Sequence, residues 1–265
     1  MLGKTIFTLL IGALLFTACE SQAQPVTEVL PVSTNSATVT PYSTLTPIPT
    51  QTVTIPGPLP TSTRQPVTNI TVVLFGDSIT WGQALYGSPL GTYLATLLPG
   101  ISVDFKPMGY SCQRVDSLPI SGCGGQINTP APFDVFENVI IPMKPAYLLL
   151  FFGMNIRDNS DADNQITDYA KIIDTMPGTL VIILTPVHDC SDPIHDKILD
   201  LLADREIAFS AGSGTPLIDV RSFLGVGPSE CSLYYGSDQV HPNAIGQKYI
   251  SKYIAGELAR IITKP

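Results

Sequence analysis

Short apolar runs alternate with longer amphipathic stretches over the C-terminal three quarters of the chain. Three of the runs are almost continuously apolar, as strands covered on both faces must be. The alternation predicts an α/β fold, a three-layer α/β/α sandwich around a five-stranded parallel sheet. The predicted strands are residues 70–75, 101–105, 146–152, 179–184 and 216–220. The predicted helices lie near residues 89–98, 131–142, 163–176 and 193–207, and a last helix runs from Pro242, where proline suits a first turn.

The first residues of the chain follow a different pattern. Residues 1–19 begin with a cationic Lys4 and continue with an apolar stretch that is too short to span a bilayer comfortably. This is the layout of a secretory signal. Its ending, "FTAC", resembles the lipobox of bacterial lipoproteins, although Phe16 stands where leucine is usual. We therefore expect lipidation of Cys19; an ordinary cleaved signal and a retained membrane anchor are the alternatives.

Residues 20–68 are rich in proline, threonine and serine. Dense prolines remove backbone donors and fix φ, so neither a helix nor a strand ladder can propagate. We expect a disordered, extended tether, with a cleavable pro-segment as the alternative. Residues 69–265 then form one folded domain. The expected location is the cell envelope or the extracellular space, with membrane contact only through the lipid anchor.

Charge and cysteine content narrow the classes of partner. The formal net charge is −8, and the chain has no cluster of lysines and arginines, which argues against nucleic acid. We expect a monomer. Besides Cys19, the chain has four cysteines, and an even number in an exported protein suggests two disulfides. Three pairings are possible, and we prefer Cys112 with Cys123 and Cys190 with Cys231, because these close one local and one longer loop.

Polar residues follow the predicted strands. "FGDSITWG" (75–82) follows the first strand, "GMN" (153–155) the third and "TPVHD" (185–189) the fourth. Ligands bind at the carboxyl ends of strands in such sheets. Glycine, aspartate and serine are also common in turns, so Ser78 is either a turn residue or a nucleophile. The stretch "HDCSDPIHD" (188–196) offers metal ligands, but its spacing matches no zinc pattern, and we expect no metal.

A serine nucleophile needs a base, which is usually histidine. Of His188, His195 and His241, the last is best placed, because Asp238 precedes it by three residues in "SDQVHPNAIG". Asp238 would fix the histidine tautomer and stabilise the imidazolium. Alternatively, Asp238 is a turn or cap residue and His241 a surface residue.

The oxyanion formed in acyl transfer needs fixed donors. Asn155 follows the third predicted strand, behind Gly153, and can offer its side-chain amide. The alternative for Asn155 is a structural role, in which its side chain satisfies backbone groups of the loop.

"GDSIT", then a glycine, "GxN" and "DxxH" occur in this order and resemble the SGNH (GDSL) hydrolases over residues 70–262. The resemblance implies their flavodoxin-like fold and a Ser-His-Asp mechanism that needs no metal or cofactor. It implies that Ser78 is the nucleophile and that Asp238 and His241 form the relay. The implied oxyanion donors are the backbone N–H of Ser78 and the side chain of Asn155.

The second of these four motifs, the glycine, can be placed at more than one position in this sequence. "VDFKPMGYSC" (103–112) followed by "SGCGGQI" (121–127) resembles the carbohydrate-esterase branch, which implies that the N–H of Gly125 is an oxyanion donor. A shorter alignment places Cys112 there, just after Gly109. The chain departs from the family pattern twice. Cys123 stands where that branch often has histidine, and Ile156 replaces the usual aspartate after Asn155, so that a partner is missing or Asp158 supplies it.

Three functions follow. The first is a serine esterase that removes acetyl or other short acyl groups from carbohydrate, with a small-molecule or oligosaccharide ester as its substrate. The second is a lysophospholipase- or thioesterase-type acyl hydrolase. The third, suggested by Ile156 and Cys123, is an inactive carbohydrate-binding lipoprotein. The expected substrate contacts are Asp77, Trp81, Gly153 and His188; Trp81 and Tyr86 either line a sugar platform or pack over the first helix.

Overall fold

A computed structural model describes residues 69–115, 131–225 and 227–264. The predicted signal, lipidated Cys19 and tether lie outside the described residues, and so do Cys123 and Gly125. Within the described ranges, no helix has the length and apolar content needed to cross a bilayer.

Five parallel strands form one sheet in the order β2-β1-β3-β4-β5, which confirms the predicted fold class. Gly76, the last residue of β1, pairs with Gly109 of β2 and with Phe151 of β3. The carboxyl ends of the three strands are therefore level. The strands are β1 Asn69–Gly76, β2 Ser102–Gly109, β3 Tyr147–Phe151, β4 Leu180–Leu184 and β5 Leu217–Ile218.

Helices connect the strands. In chain order they are α1 Ser78–Leu85, α2 Pro89–Leu97, α3 Pro132–Val135, a π-helical turn Phe136–Ile140, α4 Ile141–Met143, α5 Asn159–Thr175, α6 Pro193–Ser213, α7 Val220–Leu224, α8 Pro228–Tyr234 and α9 Ala244–Thr263. The short helices α1, α7 and α8 were not predicted. They have five to eight residues, too few for a clear helical period.

The last helix starts two residues later than predicted. Pro242 lies outside α9 and forms an antiparallel bridge with Tyr235. The N-cap is Asn243, whose side chain accepts hydrogen bonds from the N–H groups of Ile245 and Gly246. An asparagine cap satisfies N–H groups that would otherwise lack partners, and this places the helix start after the proline.

Alternate residues of the inner strands face two separate apolar layers. In β1, Val72 and Leu74 pack into the layer that contains residues of α2 and α9, and Val73 and Phe75 pack into the layer that contains α5 and the π-helical turn. All four side chains are fully buried. Burial on both faces explains why these strands appear as continuous apolar runs.

A polar cluster is buried between α5 and α6. Glu206 is fully buried and accepts hydrogen bonds from Gln165 and Tyr169. Its second carboxyl oxygen has no hydrogen-bond partner among the described residues. Burial raises the pKa of the Glu206 carboxyl well above its ordinary value, although both hydrogen bonds act against burial. Glu206 therefore favours its neutral form.

We expect Glu206→Gln to stabilise the protein increasingly as pH rises. The folded protein holds this proton more tightly than the unfolded chain, where the pKa has its ordinary value of 4.5. The stability that Glu206 contributes is thus greatest below pH 4.5 and is lost as pH rises towards the folded-state pKa. Glutamine has no proton to lose, so the variant avoids this loss. Urea unfolding at about pH 5 and about pH 8 measures the difference.

The control is Glu137→Gln, at an exposed position in the π-helical turn. It should change stability little and equally at both pH values. A Glu206→Gln gain that is no larger at the higher pH would contradict the prediction.

Candidate active site

Ser78 lies at the carboxyl edge of the sheet, as the first residue of α1. Its Oγ is 2.8 Å from Nε2 of His241. On the other side of the ring, Nδ1 of His241 is 2.7 Å from Oδ2 of Asp238. Because the carboxylate can only accept, Nδ1 carries the proton and Nε2 is free to accept from the serine hydroxyl. The structure thus joins the three residues in one hydrogen-bonded chain.

Asp238 is held in its charged form. Its Oδ1 accepts hydrogen bonds from the backbone N–H groups of Val240 and His241. Burial raises the pKa of the Asp238 carboxyl, but the hydrogen bonds from His241 and Val240 outweigh burial and keep the pKa below its ordinary value. A charged Asp238 can stabilise an imidazolium at position 241.

Buried amides fix α9, and with it His241, against α1. Nε2 of Gln83 donates to Oε1 of Gln247 and to Oγ of Ser251, both at 2.8 Å. In return, Nε2 of Gln247 donates to the carbonyl of Ile79, at 3.1 Å. Because these bonds begin one residue after Ser78, they set the spacing between Ser78 and the start of α9.

A disulfide supports the loop that carries Asp238 and His241. Cys190 is bonded to Cys231, which confirms this predicted pairing, and the backbone N–H of Cys190 donates to the carbonyl of Gln239. Cys112 is also in a disulfide; its predicted partner Cys123 lies outside the described residues. With its sulfur in a disulfide, Cys190 cannot be a thiolate ligand, and no group of metal-ligating side chains was found in the described part of the chain.

Asp77 connects the turn after β1 with the turn after β3. Its Oδ1 accepts from the N–H of Ile79 at 2.9 Å and caps α1. Its Oδ2 accepts from the N–H groups of Gly153 and Met154, at 3.1 and 3.0 Å. Burial raises the pKa of the Asp77 carboxyl to about 6, although these N–H groups and the charge of His241 act against burial. At neutral pH the carboxylate is ionised and both of its oxygens are engaged.

A cavity of about 580 Å³ opens in front of Ser78. Trp81, whose side chain is 45% exposed, lies in its wall, where the sequence predicted a substrate contact. Tyr86 is exposed and is not among the described lining residues. The lining residues are Ser78, Trp81, Ser111, Cys112, Met154, Asn155, Arg157, Asp189, His195, Asp238, Val240 and His241.

The model of the GDSL-like lipase/acylhydrolase family matches residues 74–249. The chain belongs to this family. It is therefore an ester hydrolase. No curated protein matches the sequence.

Several solved structures have the same fold. The lipase/acylhydrolase from Enterococcus faecalis is 19% identical with a TM-score of 0.56, over 72% of this chain and 95% of that one. A mutant of the acetylxylan esterase from Geobacillus stearothermophilus is 16% identical with a TM-score of 0.54, over 71% and 94%. An α/β hydrolase from the metagenome of Lake Arreo is 17% identical with a TM-score of 0.54, over the same shares.

The two expected oxyanion segments of this acylhydrolase meet in the cavity wall. The side-chain amide of Asn155 donates to the carbonyl of Gln113 at 3.0 Å, which is the structural role weighed as the alternative. Asn155 nevertheless lines the cavity, as does Cys112, whose φ of +61° is rare outside glycine. Gly125, the preferred donor, lies outside the described residues.

Two predicted substrate contacts are wrong because the side chains are engaged inside the protein. The Asp77 side chain is 1% exposed and bonded to backbone N–H groups. His188 is also buried: its Nδ1 faces Asp196 at 3.2 Å and its Nε2 faces the carbonyl of Arg221. Neither is among the described residues that line the cavity.

Gly153 was also predicted to touch substrate, and it is buried instead. Its φ is +148°, and a Cβ there would lie 2.7 Å from Cβ of Pro186. Glycine is needed here for close packing of the turn. Asp158, the expected replacement for the aspartate missing at Ile156, caps α5 by accepting from the N–H of Asp161.

Three further residues of the cavity wall were not predicted as site residues: His195, Asp189 and Arg157. His195 replaces His188 as the histidine after β4 that reaches the site. A signal was present: "DPIH" places His195 in the first turn of a helix that begins at the carboxyl edge of the sheet. Arg157 forms no ion pair or hydrogen bond through its side chain with the described residues, and only its backbone N–H is bonded, to Asp161.

We expect Asp77→Asn to lower kcat by at least about tenfold. An asparagine side chain has one oxygen instead of two, so its NH2 group must face at least one of the backbone N–H donors, and this repulsion displaces a turn of the site. A loss of about 1–3 kcal/mol in the free energy of unfolding should accompany it. Ester hydrolysis and urea unfolding measure the two effects.

The control is Asp219→Asn. Asp219 caps α7 and accepts from Thr185, but it is not among the described lining residues. Its loss should destabilise the protein while kcat stays within about twofold. An Asp77→Asn variant that hydrolyses esters at the normal rate would show that this clamp does not position the site.

Proposed function

We propose that the protein is a serine esterase in which Ser78, His241 and Asp238 carry out acyl transfer. The supporting observation is the hydrogen-bonded chain from the Asp238 carboxylate through both nitrogens of His241 to the Ser78 hydroxyl. It orients the base on the serine proton before substrate binds, as this mechanism requires.

In the proposed acylation step, Ser78 Oγ attacks the ester carbonyl while His241 Nε2 takes the hydroxyl proton. The tetrahedral intermediate collapses as His241 returns the proton to the leaving alcohol, and the acyl group remains on Ser78. Water then attacks the acyl-enzyme with His241 again as base, and the carboxylic acid leaves. Asp238 stays ionised and stabilises the imidazolium in both steps.

The proposed oxyanion donors are the backbone N–H of Ser78, the side-chain amide of Asn155 and one further backbone N–H. The position of Cys112 in the cavity wall and its left-handed backbone support Cys112 for the third donor. Gly125 remains the alternative that the family resemblance implies.

We propose short acyl esters of carbohydrate as the substrates. In the cavity wall, Ser111 and Arg157 offer groups that can bind sugar hydroxyls, and Trp81 offers a ring face. An acetylxylan esterase has the same fold, which supports this class without identifying the sugar. The second candidate, a lysophospholipase or thioesterase, draws its support from the family description, which includes lipases.

The purified protein should hydrolyse p-nitrophenyl acetate, and Ser78→Ala and His241→Ala should each lower kcat by roughly 10³-fold or more. A fluorophosphonate should label the wild type and not Ser78→Ala. Ser88→Ala, at the N-cap of α2, is the control and should retain activity. A fully active Ser78→Ala variant would refute the mechanism.

Comparison of acetyl with octanoyl esters, followed by acetate release from acetylated oligosaccharides, separates the two substrate classes. A preference for acetyl supports the carbohydrate esterase, and a preference for octanoyl supports the lipid enzyme.

We also propose that the protein is exported and held at the cell envelope through a lipid on Cys19, with residues 20–68 as the tether. The Cys190–Cys231 disulfide supports an oxidising compartment. Palmitate labelling of the expressed full-length chain should be lost in Cys19→Ala. Equal labelling of both would contradict lipidation at this residue.

A further inference from the structure

The Asn155 loop, residues 153–156, is held at both ends. At its start, Asp77 accepts from the N–H groups of Gly153 and Met154. At its end, the carbonyl of Ile156 lies 2.8 Å from Nε2 of His195. The N–H of Ile156 also bonds back to the carbonyl of Gly153, so the four residues form a tight turn. Asn155 lies between the two attachment points.

His195 is itself fixed by the first turn of α6. The side chain of Asp192 caps this helix and accepts from the backbone N–H of His195. On the ring, Nδ1 lies 2.7 Å from Oδ2 of Asp189. The other oxygen of Asp189 accepts from the N–H and hydroxyl of Ser191 and from the N–H of Asp192. Both side chains of the pair are largely buried, yet both residues line the cavity.

The groups that face the two ring nitrogens of His195 are both acceptors. Burial raises the pKa of the Asp189 carboxyl, but hydrogen bonds from Ser191, His195 and Asp192 outweigh burial and lower the pKa, so Asp189 is ionised. A carboxylate and a carbonyl can only accept. Both ring nitrogens of His195 therefore face acceptor groups, the Asp189 carboxylate and the Ile156 carbonyl. Nε2 is not available as a base while it donates to Ile156.

We propose that His195 and Asp189 are positioning residues that hold the Ile156 carbonyl and thereby the Asn155 loop, so that the Asn155 amide, which donates one N–H to the Gln113 carbonyl, can offer its other N–H to the developing oxyanion. This inference rests on the proposed role of Asn155 as an oxyanion donor. His195 acts through the loop and does not touch the reacting atoms. A displacement of the loop by a fraction of an ångström weakens a donor that must be aligned in the transition state.

The test is a double-mutant cycle on p-nitrophenyl acetate. His195→Ala should lower kcat about 10- to 100-fold, with KM changed less than about threefold. Asn155→Ala should lower kcat by roughly 10²-fold or more. In the Asn155→Ala background, His195→Ala should then cost less than about threefold, because the group it positions is already absent.

Two further variants guard against a folding defect and separate the effect of the hydrogen bonds in this pair from the effect of the Asp189 charge. In His195→Gln, the side-chain amide can still donate to the Ile156 carbonyl, so kcat should be higher than in His195→Ala and lower than in wild type. In Asp189→Asn, the new amide can donate to Nδ1, so that Nε2 of His195 can still donate to the Ile156 carbonyl. Its kcat should lie between that of wild type and that of His195→Ala.

The matched control is His188→Ala. His188 makes the same pair of contacts, with Asp196 and with the Arg221 carbonyl, but outside the described cavity lining. It should lower the Tm while kcat stays within about twofold.

The outcomes separate two failures. An unchanged kcat in Asn155→Ala would refute the oxyanion role itself and this inference with it. A low kcat in Asn155→Ala, together with a His195→Ala effect that is absent or equally large in both backgrounds, would overturn only the positioning role. An effect confined to the background with Asn155 present supports it.

Discussion

The site depends on the hydrogen bonds that the buried Asp77 carboxylate accepts from backbone N–H groups. A lone carboxylate removed from water is costly, and here three backbone N–H groups offset that cost. One donor, the N–H of Ile79, is two residues from Asp77, and the other two, of Gly153 and Met154, are 76 and 77 residues away. Because one carboxylate binds both turns, it fixes one turn against the other. Ser78 and Asn155 stand in these two turns, and their separation follows from this bridge.

The sheet order makes this bridge possible. β1 lies next to β3, and Gly76 pairs with Phe151, so the turns after both strands leave the sheet at the same level. α9 packs on α2 and reaches α1 through the buried amides of Gln83 and Gln247. His241, just ahead of α9, is thereby brought to Ser78 across a separation of 163 residues.

The described residues contain three histidine–aspartate pairs, and the group at the second ring nitrogen decides what each histidine can do. His241 has one nitrogen on Asp238 and the other on a serine hydroxyl, which leaves a proton acceptor. His195 and His188 each have a carbonyl at the second nitrogen, and neither can act as a base in that arrangement. His195 differs from His188 in that its carbonyl belongs to the turn that carries Asn155.

The sequence by itself determined the layer architecture, and it was enough to select Ser78, His241 and Asp238 as the candidate site residues. Apolar periodicity reports burial along each strand, and the Asp238–His241 spacing is local, so both can be recognised without coordinates. Only the tertiary structure decided that Asp77, Gly153 and His188 support the fold and that His195 reaches the cavity. Those roles depend on partners up to 77 residues away and on the direction of single side chains. No local pattern of polar residues encodes such distances, because they arise when separate strand ends pack at one edge of the sheet.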